Sequence, residues 1–120
     1  MSTETRFPRS VYAVGDEPDP RFSLANERTY LAWVRTALAM FAAGVALEAL
    51  EVPVDAGFRL ASAGVFVLLG LLALVQAWRG WVRTERALRQ NRSLPGPSIG
   101  VLVGSGAGVA MLLLVAGVFV

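Results

Sequence analysis

Two arginines seven residues apart, Arg28 and Arg35, stand near the start of an apolar stretch that runs to Leu50. On a helix, at about 100° per residue, both arginines share one face with four alanines. This Arg–Ala stripe consists of Arg28, Ala32, Arg35, Ala39, Ala42 and Ala46. Guanidinium groups match the geometry of phosphate, and rings of arginine select anions in narrow pores. The stripe therefore favours binding of phosphate-like anions along this helix.

A simpler role for Arg35 stays open. An arginine in hydrocarbon is costly and usually faces a bundle interior, a partner molecule or water. Arg35 lies about 6–8 Å below the expected membrane interface, so its side chain can also extend to the phosphates of lipid head groups. Small residues continue past Arg35, and a lipid anchor does not require them. This continuation favours the buried or pore-facing role, with Ala32 and Ala39 as positions of close helix packing.

A second group of arginines follows the second apolar stretch, with Arg79, Arg83 and Arg86 on one helical face. Such residues often contact head groups and set membrane topology. Their functional interpretation is a positively charged vestibule at the mouth of an anion path, to which we assign Arg79 and Arg83. Glu85 and Arg89 have the spacing of a helical ion pair.

Glu27 directly precedes Arg28, but side chains one residue apart on a helix point in directions about 100° apart. We therefore expect Glu27 to pair with an arginine of another helix, such as Arg79 or Arg83, or of a neighbouring subunit.

The third apolar stretch carries glycines at four-residue spacing, Gly100, Gly104 and Gly108. This spacing is typical of a ridge for close helix packing in membranes. The same residues contain a GxGxxG pattern, but no strand precedes it and it lies inside an apolar 20-residue stretch. A dinucleotide site is therefore not predicted.

Residue composition disfavours catalysis and metal binding. The chain has neither His nor Cys, which removes the commonest general base and the commonest soft metal ligands. The carboxylates near the spans are Glu27, Glu48 and Glu85. We predict no catalytic residue, no metal site and no cofactor, and an enzyme is the least favoured class. All eleven basic residues are arginines beside apolar stretches, and the net charge is only +2, so no nucleic-acid partner is predicted.

The length and composition of the chain indicate which structural elements hold these residues in place. The chain has 120 residues, 55% apolar and 17% charged, and its mean hydropathy is +0.56. Stretches of about 20 apolar residues favour membrane spans over a very apolar soluble bundle. We predict an all-α membrane protein with three transmembrane helices per chain, packed as an oligomeric helical bundle. We expect residues 1–19 to form a polar, loosely held cytoplasmic arm, which precedes a membrane domain over residues 20–120. Its helices span about 20–50, 57–90 and 99–120.

Arginine counts predict the orientation. The segment 79–92 has five arginines against one acid, whereas the turn after the first span is acidic. The positive-inside rule places this segment and the N-terminus in the cytoplasm and the C-terminus outside. The expected location is the bacterial inner (plasma) membrane, with the lipid bilayer as a partner.

The sequence resembles a known family. The motif ANERTYLAW at Ala25–Trp33, the later WVRTERALR and the three-span length resemble the YidH-like family of small bacterial inner-membrane proteins, which carry a domain of unknown function. The ANERT motif is also similar to one in the membrane domain of the vacuolar transporter chaperone, which makes polyphosphate and passes it through a multisubunit pore. This resemblance implies that Glu27 and Arg28 belong to a pore-lining helix and that the chain oligomerises around it.

Two functions follow as hypotheses. The first is a non-enzymatic homo-oligomer, with a pentamer as the first expectation and a trimer or tetramer next, whose first helices line a pore or vestibule for phosphate-like anions. The alternative is an accessory or assembly subunit that binds a larger membrane partner or anionic lipid. That subunit would use the glycine ridge or the basic segment 79–92.

The predicted topology can be tested with single cysteines, because the chain has none of its own. Cysteine at Ser2 or Ser93 should react with a membrane-impermeant maleimide from the cytoplasmic side, and cysteine at Val54 from the opposite side. Labelling of Val54→Cys from the cytoplasmic side alone would show that the orientation is inverted.

Overall fold

The protein is described by a computed structural model that covers residues 5–94, 96 and 99–120. Within this part the chain forms one short helix and three long ones. They are α1 (Arg9–Tyr12), α2 (Pro20–Ala49), α3 (Ala56–Arg89) and α4 (Ile99–Val118). The three long helices are sufficiently long and apolar to cross a membrane, which confirms the predicted helical fold with three spans. Ser2, and Pro95 and Pro97 between the last two helices, lie outside the described residues.

Aspartates begin both of the longest helices. The Asp19 carboxylate accepts a hydrogen bond from the Arg21 amide at 2.9 Å, and Pro20 occupies the first helical position. Asp55 accepts from the amides of Gly57 and Phe58 at 3.1 and 3.2 Å. These caps satisfy amides that have no partner within the helix. Hydrogen bonds from Arg21 also lower the pKa of the Asp19 carboxyl, which keeps the cap ionised near neutral pH.

Helix α3 is the centre of the fold, because α1, α2 and α4 all pack against it. In the described part of the chain α2 and α4 make no close backbone contact with each other. Small residues bring α2 and α3 together: a Cβ added at Gly70 would lie 2.6 Å from the Phe41 ring and 3.1 Å from the Ala37 carbonyl. The result is an open three-helix unit in which much of α2 and α4 faces outward.

Helix α4 packs on α3 through a face that includes Gly106, Ala110 and Gly117. Added Cβ atoms would lie 2.6 Å from Leu69 at Gly106 and 3.0 Å from Phe58 at Gly117. The Ser62 hydroxyl donates to the Ala110 carbonyl at 2.7 Å, so a polar group inside the apolar bundle is satisfied. The contact between α3 and α4 thus uses glycines other than the predicted ridge.

The contact at Gly44 gives a test of the packing of α2 on α3. A Cβ at this position would lie 2.9 Å from the Ala63 carbonyl oxygen, so the Gly44→Ala variant must push the two backbones apart. We expect a loss of about 1–3 kcal/mol, typical of overpacking, measured as thermal stability in detergent. Gly64→Ala is the matched control, because nothing lies within 4 Å of its added methyl group. Equal stability of the two variants would contradict this packing.

Candidate functional site

A polar junction joins α2 to α3 at the arginine-rich end of the molecule. The Glu85 carboxylate, which is 3% exposed, accepts hydrogen bonds from the Ser23 hydroxyl at 2.7 Å and the Asn26 amide at 3.0 Å. The same Asn26 amide nitrogen also donates to the Trp81 carbonyl at 3.1 Å. We call these four residues the polar junction. Because the donors are neutral, the buried carboxylate is solvated by dipoles, and no guanidinium group of the described residues is bonded to it.

The predicted ion pair between Glu85 and Arg89 is wrong. Arg89 is 5% exposed, and its guanidinium turns away from Glu85 toward the polypeptide before α2. Its Nε donates to the Val14 carbonyl at 2.8 Å and its Nη2 to the Tyr12 carbonyl at 3.1 Å. Helical spacing allowed the pair, but the carbonyl acceptors of a distant segment bind Arg89 instead.

These carbonyls belong to an N-terminal strap, residues 7–17, that folds against the end of α3. Val11 is fully buried, and the Asp16 amide donates to the Arg89 carbonyl at 2.8 Å. Gly15 has a φ of +62°, and a Cβ there would lie 2.1 Å from the Arg89 carbonyl oxygen. The expectation of a loosely held arm is therefore wrong for this segment, because hydrogen bonds to the buried Arg89 of α3 hold it in place.

Tyr12 links the strap to the charges around it. Its ring lies under the Arg6 guanidinium, 4.2 Å from the ring centroid, and Arg6 also pairs with Glu17 at 2.7 Å. Burial raises the pKa of the Tyr12 hydroxyl above its ordinary value, and the negative charge of Glu85 adds to the effect. Tyr12 is thus neutral at physiological pH and serves as a cation–π partner.

Arg28 and Arg35 point away from the rest of the chain. Residues two apart on a helix differ by about 200°, and Arg28 comes two residues after Asn26, which contacts α3. Arg35 likewise comes two residues before the buried Ala37. Both arginines are exposed, and neither has an ion-pair partner among the described residues. The outward face of α2 therefore carries two uncompensated positive charges.

Arg79 and Arg83 are also exposed, but they lie on α3. Arg83 lines a groove together with Asn26 of α2, so it lies beside α2. It also lines a concavity of about 250 Å³ with Arg86 and Arg92. Within one chain, the structure does not bring the two predicted arginine pairs together.

Glu27 makes no pair with Arg79 or Arg83, so that prediction is wrong for contacts within the chain. The Glu27 side chain is exposed, and among the described residues it forms no ion pair with either arginine. Pairing of Glu27 with a neighbouring subunit stays a prediction.

The predicted packing positions are exposed as well. A Cβ added at Gly100, Gly104 or Gly108 would have nothing within 4 Å, and Ala32 and Ala39 are on the outer surface of α2. Helix α4 uses Gly106 and Gly117 against α3, so within the described residues an added methyl group at the three ridge glycines would touch no other helix. Their role in packing stays a prediction about another molecule.

Sequence reasoning missed the polar junction. Asn26 lies inside the ANERTYLAW motif and Glu85 inside WVRTERALR, and their hydrogen bond joins the two motifs. The available signal for this contact was the presence of polar residues, Asn26 and Glu85, at the ends of two antiparallel helices that lie side by side. Among the described residues, no group of three or more potential ligands is placed to hold a metal ion.

Comparison with known proteins gives the class of this protein. Residues 21–87 match the family described as a domain of unknown function, DUF202. The chain is 42% identical to the inner membrane protein YidH of Escherichia coli (strain K12) over 87 residues, 71% of this chain and 75% of that protein. It is 44% identical to an uncharacterized protein of Mycobacterium tuberculosis (strain H37Rv) over 81 residues, 66% of each. No solved structure matches.

These findings define a membrane protein with three membrane-capable helices in contact with the lipid bilayer. The chain belongs to the DUF202 family, and the resemblance to YidH-like proteins is confirmed. The matched region contains α2 and nearly all of α3, and hence both halves of the polar junction.

The polar junction predicts the effect of removing Asn26. In Asn26→Ala the buried Glu85 carboxylate and the Trp81 carbonyl each lose a donor, which we expect to cost about 1–3 kcal/mol of stability. Thermal unfolding in detergent, followed by circular dichroism, measures the change. Thr29→Ala is the control, since its exposed hydroxyl bonds only within α2, to the Ala25 carbonyl. A loss no greater than that of the control would show that the junction does not stabilise the fold.

Proposed function

We propose that this DUF202 protein is a non-enzymatic, homo-oligomeric membrane protein in which α2 helices of neighbouring subunits line a path for phosphate-like anions. The observation that carries the proposal is the exposure of Arg28 and Arg35 on the face of α2 that points away from α3. An unpaired arginine inside a membrane span requires a partner, water or a phosphate. A path lined by several copies of α2 would supply water and anions together.

The depth of Arg35 supports this arrangement. One groove is lined by Trp33 of α2, Ala77 of α3 and Ile99 of α4, so the start of the apolar α4 lies level with Trp33. Arg35 is two residues deeper in α2, about 3 Å along the helix axis. It therefore lies just inside the apolar layer, where an anion entering from the arginine-rich end would meet Arg28 first.

The shape of the subunit supports oligomerisation. The outward face of α2 carries Ala32 and Ala39, whose small side chains permit close approach of another helix. Exposed leucines flank the stripe at seven-residue spacing, at Leu24, Leu31 and Leu38. This spacing suits packing between parallel α2 helices of neighbouring subunits. The proposed assembly is a ring, with a pentamer as the first expectation.

The orientation and location belong to the same proposal. The relative YidH is named an inner membrane protein, which supports an inner-membrane location here. We propose that the arginine-rich end, with the strap, faces the cytoplasm, and that the turn after α2 and the end of α4 face outward.

A second candidate rests on the glycine ridge of α4. Gly100, Gly104 and Gly108 form an exposed surface, where an added Cβ would have none of the described residues within 4 Å. Such a surface fits a helix of a larger membrane partner, for which this protein would be an accessory subunit.

The anion path is tested by flux of radiolabelled phosphate into liposomes that contain the purified chain. Arg35→Ala should reduce flux about tenfold or more, because a hydrogen bond to a charged group is worth about 1.5–3 kcal/mol. Arg92→Ala, which removes an exposed arginine outside the helices, is the control and should leave flux unchanged.

Native mass spectrometry should show the same oligomer for both variants. Equal flux through the two variants, or a wild-type chain that is monomeric and conducts nothing, would refute the path. A monomer that co-purifies with a second membrane protein would favour the accessory role.

A further inference from the structure

An aromatic cavity lies beside the polar junction, between the N-terminal strap and helices α2 and α3. Its volume is about 320 Å³. Five aromatic side chains line it: Phe7 and Tyr12 from the strap, Tyr30 from α2, and Trp78 and Trp81 from α3. The rings of Phe7 and Trp78 stack with centroids 6.0 Å apart, and those of Trp78 and Trp81 with centroids 5.7 Å apart. Tyr12 lies 6.2 Å from Trp81. We call this the aromatic cavity.

Two carboxylates complete the lining, Glu27 at the surface and Glu85 at the base. Glu85 is almost fully buried and holds only the neutral donors Ser23 and Asn26. None of the described residues that line the cavity is basic. The nearby guanidinium groups have other partners: Arg89 donates to strap carbonyls, and Arg6 pairs with Glu17. Both also lie over the Tyr12 ring, 4.2 Å and 5.4 Å from its centroid for Arg6 and Arg89, so the ring faces left for a guest are those of Phe7, Tyr30 and the two tryptophans. The cavity therefore combines π-faces with negative charge that no lining cation neutralises.

Aromatic faces attract cations through their quadrupoles, and aromatic cages with carboxylates are suited to alkylammonium groups. A guest of this kind would place its positive charge near Glu27 and Glu85 and its methyl or methylene groups against the tryptophans. We propose that the aromatic cavity binds the alkylammonium group of a zwitterionic lipid head group, such as that of phosphatidylethanolamine. The proposal shares Arg28 with the anion path but does not use Arg35, and its choline and lipid assays measure no flux, so either proposal can fail without the other.

The neighbouring surface favours a lipid as the source of the ammonium group. A groove on α2 shares Leu24 and Glu27 with the cavity and adds Arg21, Arg28 and Leu31. Arg28 would hold the lipid phosphate, because the Arg21 guanidinium already pairs with Asp19 at 2.9 Å. Trp78 and Trp81 lie near the level at which the apolar α4 begins, which is where head groups are found.

Binding of the ammonium group is tested by tryptophan fluorescence of the full chain in dodecyl maltoside. Choline chloride should produce a saturable change that sodium chloride at equal ionic strength does not. Glu27→Gln should weaken choline binding up to about fivefold, as expected for a surface charge. Trp78→Leu should weaken it about tenfold by removing a ring face. Glu51→Gln, at the opposite end of the molecule, should bind choline as the wild type does.

Binding of the lipid is tested by native mass spectrometry after incubation of the protein with equal amounts of phosphatidylethanolamine and phosphatidylglycerol. The wild type should retain phosphatidylethanolamine preferentially, and Glu27→Gln should lose this preference. Choline binding without a lipid preference would overturn the lipid assignment and show that the aromatic cavity binds a soluble cation. If choline chloride changes the tryptophan fluorescence no more than sodium chloride does, and the protein shows no lipid preference, the proposal is overturned. Glu27 is exposed, so its variant remains decisive even where Trp78→Leu impairs folding.

Discussion

The hydrogen bonds of the buried Glu85 carboxylate determine how this molecule is arranged. A charge removed from water must be satisfied, and here the donors come from Ser23 and Asn26 on the preceding helix. This requirement sets the rotation of α2 and α3 about their axes at the arginine-rich end. With Asn26 turned toward α3, Arg28, two residues later on α2, must point away from α3.

Away from the junction, small residues hold the helices together. Lipid tails are as apolar as leucine, so close van der Waals contact and satisfied polar groups, more than the hydrophobic effect, stabilise contacts between helices in a membrane. Gly44 and Gly70 bring α2 to α3, and Gly106 with the Ser62 hydroxyl brings α4 to α3. Because α2 and α4 each use one face against α3, their remaining surfaces are left for lipid or for other protein molecules.

The arginine-rich end carries two surfaces of opposite character. The outward face of α2 presents guanidinium groups that have no ion-pair partner among the described residues and are suited to phosphate. The aromatic cavity presents rings and carboxylates, suited to an ammonium group. They stay distinct because Arg89 is bonded to carbonyls of the strap and does not neutralise Glu85. The strap therefore affects chemistry as well as packing: it supplies Phe7 and Tyr12 to the cavity and binds the arginine that helical spacing would pair with Glu85.

The sequence alone determined the three spans and their approximate ends, because hydropathy depends on residues near one another in the chain. It also determined that Arg28 and Arg35 share a face with alanines, since helical periodicity suffices for that. Only the tertiary structure decided that Glu85 bonds to Asn26 in place of Arg89, that the strap is folded, and that Gly106 and Gly117 face α3 while Gly100, Gly104 and Gly108 do not. These outcomes depend on contacts between residues far apart in the chain, where several partners are chemically possible and the geometry of packing selects among them.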